Sequence, residues 1–223
     1  MNPTAPTEAS AGPLGHHARF VPATADGLAP LLALHGTGGD ENDLLPLAAM
    51  VAPGAAILSP RGAVLENGMP RFFRRLAEGV FDEADIVRRA NDLADFVEES
   101  RSTLGLARPI ALGFSNGANI AAAMLLLRPE VLAGAILIRA MVPLKEPPSR
   151  ADGTPADRPV LILSGAMDPI VPSDNAARLA RQLALAGAAV THEILPAGHG
   201  LTQADIGLAT SFLREHGTLG AVG

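Results

Sequence analysis

A chain of 223 residues, 48% hydrophobic and 18% charged, is long enough for one substantial core and has the composition of an ordinary globular domain. Its net charge of −6, without a long basic run, argues against nucleic acid or an anionic membrane surface as a partner. No cysteine occurs, which excludes disulfides, thiolate metal ligands and a cysteine nucleophile together.

Residues 1–17 are rich in Pro, Ala, Thr and Ser and lack the basic start and apolar stretch of a signal peptide, so this segment is expected to be disordered. No apolar run approaches the ~18 residues of a membrane span, and a cytoplasmic home is the expectation. From there the chain alternates short apolar runs with amphipathic stretches. Strands are expected at 19–22, 30–35, 55–59, 110–114, 133–138, 159–164 and 190–195. Several are continuously apolar, as strands covered on both faces must be. Between them, Ile86, Ala90, Leu93, Ala94 and Val97 share one helical face, with Gly105 as the stop. Ser173 is placed to cap a helix whose stripe is Ala176, Leu179, Ala180 and Leu183, ending at Gly187. Thr202 and Asp205 read as a capping box opening a last helix that packs through Ile206, Ala209 and Leu213. This alternation predicts an α/β fold in one domain, 18–217. Its central sheet is mostly parallel, has about seven strands and is covered by helices on both faces. Residues 218–223 are expected to fray. Segments 61–81 and 141–158 read as irregular, and neither is long enough for a cap domain.

In such sheets the site lies beyond the carboxyl ends of the strands, and three strand ends carry the chemistry. Gly113-Phe114-Ser115-Asn116-Gly117 stands between an apolar strand and a helical run at 118–127. A serine at a sharp strand-to-helix turn is a nucleophile elbow, and the flanking glycines remove the side chains that would clash there. A serine hydroxyl needs a base, and the base needs an orienting group. Asp168 follows the strand at 159–164, and His199 follows the strand at 190–195, giving the order Ser, Asp, His expected for α/β-hydrolases. The rivals are weaker: Asp174 belongs to a first helical turn, His192 lies inside a strand, and His16, His17 and His216 sit near the chain ends. An oxyanion hole has to come from backbone N–H groups. Asn116, at a helix N-terminus, supplies one, and Thr37 in the loop His35-Gly36-Thr37-Gly38-Gly39 is the choice for the other. His35 reads as a brace for that loop. The run Asp40 to Asp43 matches no calcium loop and fits a helix start, and His192-Glu193 lacks the second histidine of a zinc protease motif. No metal or cofactor is called for.

Together, Leu34 to Asp40, the Gly113–Gly117 elbow, Asp168 and His199 resemble the phospholipase/carboxylesterase family of α/β-hydrolases, which includes the acyl-protein thioesterases. The resemblance runs from about residue 18 to 216. Glu66 to Arg74, continuing through Phe81-Asp82-Glu83, is similar to its bacterial carboxylesterase branch. The resemblance implies a Ser115–His199–Asp168 triad, an oxyanion hole from the Thr37 and Asn116 amides, and often a homodimer. It carries no substrate. Candidate substrate contacts are Arg71, Phe72 and Phe73 in the 61–81 segment, Met141 and Val142 after a central strand, and Ile170 and Leu201 beside the acid and base. Arg71 is either a contact for an anionic substrate or half of a surface ion pair. The expected substrate is a small-molecule ester with a short-to-medium acyl or aromatic acid. Thioesters and lysophospholipids are the alternatives for the same machinery, and a non-catalytic ligand-binding protein is the alternative of another kind.

Overall fold

The computed structural model describes residues 16–77, 79–147 and 157–218. The expected N-terminal disorder and C-terminal fraying fall mainly on residues outside these, as does much of the 141–158 segment. His16 and His17 already belong to the fold. The His16 ring lies 4.8 Å from that of Phe96, and the His17 carbonyl accepts the Arg61 N–H.

In chain order the strands are β1 (Ala18–Val21), β2 (Leu31–Leu34), β3 (Ile57–Pro60), β4 (Val64–Glu66), β5 (Met69–Arg71), β6 (Arg75–Ala77), β7 (Val80–Phe81), β8 (Ile110–Phe114), β9 (Gly134–Ile138), β10 (Arg158–Gly165) and β11 (Ala188–Leu195). The helices are α1 (Leu45–Val51), α2 (Glu83–Leu104), α3 (Asn116–Leu127), α4 (Ser173–Leu185) and α5 (Gln203–His216). Seven strands form one sheet in the order β1-β3-β2-β8-β9-β10-β11, and only the β1–β3 pair is antiparallel. The mostly parallel, doubly covered sheet read from the sequence is therefore the one observed.

Alternation along each strand sends successive side chains to opposite faces. Leu32 and Leu34 of β2, Leu137 of β9 and Ile162 of β10 meet α2, α3 and α4 on one side. Leu31 and Ala33, Ile136 and Ile138, Leu161 and Leu163 meet α1 and α5 on the other. Helix α3 is buried from Asn116 to Leu126, which is why its sequence is almost wholly apolar and carries no polar stripe. Among the described residues no helix is long and apolar enough to cross a membrane.

Two local expectations need correction. The 61–81 segment is not irregular: it forms two hairpins, β4–β5 and β6–β7, outside the main sheet. The first turns at Asn67-Gly68, both with positive φ (51° and 80°), the conformation that favours Asn-Gly in two-residue hairpin loops. Ser173 does not cap α4. It is the first helical residue after the flanking Pro172, and no side chain caps this helix.

Helix α2 is set by its ends. Asp82 accepts the Asp85 N–H at the start, and Gly105 closes it in the left-handed conformation at φ 67°. Replacing Asp82 with Ala leaves that N–H without its cap and is expected to destabilise the folded chain. A urea midpoint shifted downward with unchanged slope is the check; an unmoved midpoint would refute the cap's contribution.

Candidate active site

The turn from β8 into α3 is tight enough to dictate its sequence. Ser115 has φ 52° and ψ −113°, a conformation that a side-chain-bearing residue adopts only under constraint. A Cβ on Gly117 would lie 2.0 Å from the Leu34 carbonyl oxygen, and one on Gly113 would lie 2.7 Å from the Ala118 backbone. Both glycines are therefore demanded by close backbone approach. The Ser115 N–H is tied to the Ile138 carbonyl at 2.9 Å, which anchors the elbow to β9.

Around Ser115 the chain brings together two distant loops. His199 Nε2 lies 3.0 Å from Ser115 Oγ, and His199 Nδ1 lies 2.8 Å from Asp168 Oδ2. A carboxylate only accepts, so Nδ1 carries the ring proton and Nε2 is left as the acceptor facing the serine hydroxyl. The Asp168 side chain is wholly buried, and its other oxygen accepts the N–H groups of Ile170 (2.8 Å) and Val171 (3.1 Å). Those bonds hold the carboxylate still, with one oxygen left for the histidine. The acid and base loops are laced to each other by Ala166 N–H to the Leu195 carbonyl and Met167 N–H to the Ala197 carbonyl.

The loop after β2 forms the opposite wall. His35 is buried; its Nδ1–H donates to the Gly36 carbonyl at 2.6 Å, and its Nε2 accepts the Gly62 N–H at 2.9 Å. Burial holds its pKa below the ordinary 6.5, so the ring stays neutral and keeps both bonds. The β4–β5 hairpin clasps the same loop: Arg71 Nη1 donates to Thr37 Oγ1 at 2.6 Å, and the Gly38 N–H donates to the Pro70 carbonyl. The Phe72 N–H in turn donates to Asn116 Oδ1 at 2.7 Å, so the hairpin also touches the elbow.

Between these walls lies a cavity of about 260 Å³. Thr37, Ser115, Asn116 and His199 line it, and of the expected wall residues Arg71, Met141 and Ile170 do so too. Phe72, Phe73 and Val142 do not. Phe72 packs on His35, Phe73 lies edge-on to Phe81, and all three belong to the core beneath the site. Leu201 is exposed outside the cavity. Arg71 is no surface ion-pair residue: it is buried, donates to Thr37 and to the Phe73 carbonyl, and lies 3.3 Å from Glu66. The sequence reading missed Arg75, Gly79 and Phe81 on the second hairpin, and Asn119, one helical turn beyond Ser115. The spacing from Asn116 to Asn119 was the available signal, because residues three apart share a helix face. Among the described residues no group of three or more His, Asp or Glu side chains is placed to hold a metal ion.

This arrangement suits addition of an activated hydroxyl to a carbonyl, and the chain is similar to known hydrolases. The phospholipase/carboxylesterase family model matches residues 23–217. The Bacillus subtilis (strain 168) protein named Putative hydrolase MhqD is 46% identical over 189 residues, spanning 83% of this chain and 92% of its own. A carboxylesterase from Bacillus cereus is 40% identical, covers 92% of this chain and 96% of its own, and superposes with a TM-score of 0.85. A carboxylesterase from Mesorhizobium loti is 30% identical, with 89% and 94% covered and a TM-score of 0.81.

The His35 brace makes stability pH-dependent with a definite sign. Its folded pKa is lowered, so as pH falls below 6.5 the unfolded chain takes up a proton before the folded one does, and stability drops. His16 and His192, whose pKa values burial also lowers, act in the same direction. Unfolding free energy measured in urea is expected to decline from pH 7 to 5, and to decline less steeply in His35→Gln. Equal slopes in the two proteins would overturn the assignment.

Proposed function

The chain belongs to the phospholipase/carboxylesterase family of α/β-hydrolases and is a hydrolase, and from that premise we propose a serine carboxylesterase that cleaves short-to-medium acyl or aromatic carboxylic esters through an acyl-enzyme on Ser115. The observation that carries this reading is the unbroken chain Ser115 Oγ, His199 Nε2, His199 Nδ1, Asp168 Oδ2, with successive contacts of 3.0 and 2.8 Å.

In this mechanism His199 Nε2 takes the hydroxyl proton as Ser115 Oγ bonds to the ester carbonyl carbon. The carbonyl oxygen becomes an oxyanion, held by the backbone N–H groups of Thr37 and Asn116 and favoured by the N-terminal end of α3. Asp168 keeps the imidazole in the right tautomer and stabilises the imidazolium. His199 then gives its proton to the departing alcohol as the carbon–oxygen bond breaks. A water molecule, deprotonated by the same ring, attacks the acyl-enzyme, and collapse of the second intermediate frees the acid and restores Ser115.

The walls of the cavity support this substrate class. At about 260 Å³ the cavity lies just below the ~300–1,000 Å³ range of pockets that enclose drug-sized ligands. Phe81, Phe114, Met141 and Ile170 supply apolar contact, and Asn116, Asn119 and Arg71 supply polar groups. That combination favours a small ester over a long lipid chain.

Hydrolysis of p-nitrophenyl esters from acetate to palmitate is expected to peak at short chains. Ser115→Ala is expected to lower kcat by about 10⁶-fold, as loss of the nucleophile does in other serine hydrolases. Wild-type turnover in Ser115→Ala would refute the mechanism, and a maximum at palmitate would refute the substrate class.

A further inference from the structure

One buried cation takes no part in the mechanism above. Arg139 follows β9 directly, is wholly buried, and lies outside the cavity lining. Its backbone has φ 56°, in the left-handed region. All five guanidinium N–H donors have an acceptor at 2.8–3.1 Å. Nε donates to the Gly198 carbonyl; Nη1 donates to the Leu163 carbonyl and Asp205 Oδ1; Nη2 donates to the Gly200 carbonyl and Asp205 Oδ2.

Gly198 and Gly200 are the residues on either side of His199. Leu163 lies in β10, the strand that leads to Asp168, and its carbonyl also accepts the Arg139 backbone N–H at 2.8 Å. On the other edge of β9, the neighbouring Ile138 carbonyl accepts the Ser115 N–H. A single dipeptide therefore touches the nucleophile's backbone, the acid's strand and both shoulders of the base. Asp205 completes the unit, since its Oδ2 also accepts the Thr202 N–H and hydroxyl at the start of α5.

We infer that Arg139, fixed by Asp205, is the positioning residue for the His199 loop, and that its planar fork sets the 3.0 Å approach of Nε2 to Ser115 Oγ. The inference rests on the Ser115–His199–Asp168 reading. Chemistry favours a fork here. Two carbonyls flanking a single residue have to be held at a fixed separation, which a rigid five-donor plane does and a flexible ammonium with three donors does not. Because Arg139 bonds the carbonyls on either side of the histidine and lies outside the cavity lining, it serves turnover and not substrate capture.

Removing only one of two buried charges would strand the other and endanger folding. The test therefore uses the double variant Arg139→Met/Asp205→Asn, in which the amide keeps an acceptor for the Thr202 N–H, with Arg139→Lys as the second variant. Each is assayed beside wild type and Ser115→Ala on p-nitrophenyl acetate, after circular dichroism and thermal melting establish that it is folded. A misplacement of about 1 Å costs on the order of 10²-fold in rate. We expect kcat to fall by about that factor in the double variant and at least about tenfold in Arg139→Lys, with KM within about twofold of wild type. A folded double variant whose kcat stays within about threefold of wild type, or whose loss lies wholly in KM, would overturn the inference. Should the double variant not fold, Arg139→Lys decides by the same criteria. Ser115→Ala separates the two levels. If that variant keeps wild-type turnover, the triad reading fails; if it is inactive while the Arg139 variants turn over normally, only the positioning role fails.

Discussion

Everything at this site depends on one close approach of backbone to backbone. The elbow at Ser115 runs so near the end of β2 that Gly117 cannot carry a side chain. That proximity places the helix start that presents Ser115 directly beside the loop that presents Thr37. The nucleophile itself occupies a sparsely populated backbone conformation with positive φ, which costs a non-glycine residue roughly 1–3 kcal/mol. The surrounding packing has to offset that cost, and it does so with a wholly buried α3 and strands on either side of β8 that leave no room for the turn to relax. Arg139, the other strained residue near the site, is held in the same way, by a saturated set of hydrogen bonds.

A second regularity concerns how loops are fastened to this frame. Three asparagines use their side-chain oxygens to accept loop N–H groups: Asn116 from Phe72, Asn119 from Met141, and Asn175 from Val142, all at 2.7–2.8 Å. A buried backbone N–H without an acceptor would be costly, and in these irregular segments no strand partner offers one. The side-chain amide substitutes for a neighbouring strand, and a helix thereby fixes a loop at a chosen height above the sheet. His35 does the same for Gly62 through a ring nitrogen. The pocket walls are therefore set by hydrogen bonds from the frame, while their composition is set by the loops.

What the sequence made legible follows the same division. The apolar runs of β2, β8, β9 and β10 identify themselves because a strand buried on both faces needs no polar alternation. The Thr202–Asp205 capping box is legible because both partners lie within one helical turn. The Gly113–Gly117 elbow is legible because sterics leave few other residues possible. The hairpins at 64–81 read as irregular, although Asn67-Gly68 carries the signal of the first, because the flanking strands are two or three residues long and too short for a period to declare itself. Phe72 and Phe73 read as pocket wall although they belong to the core; nothing local says which face of a short hairpin is covered. Arg139 gives no sign of its role in the sequence. Its side-chain acceptors lie 24 to 66 positions further along the chain, so no spacing rule brings them into view.

The two hairpins have a further meaning for how such a protein changes over time. They pair with themselves and never join the seven-stranded sheet, so their residues bear none of the sheet's register. Yet they contribute Arg71, Arg75, Gly79 and Phe81 to the cavity. Substitutions on the second hairpin, at Arg75, Gly79 or Phe81, can reshape what the cavity admits without disturbing the strands that carry nucleophile, acid and base, whereas the first is tied by Arg71 and Phe72 to Thr37 and Asn116. At the second hairpin, selection for a new substrate and selection for intact chemistry thus act on separate stretches of chain. The fold keeps its reaction constant while leaving its diet open to drift.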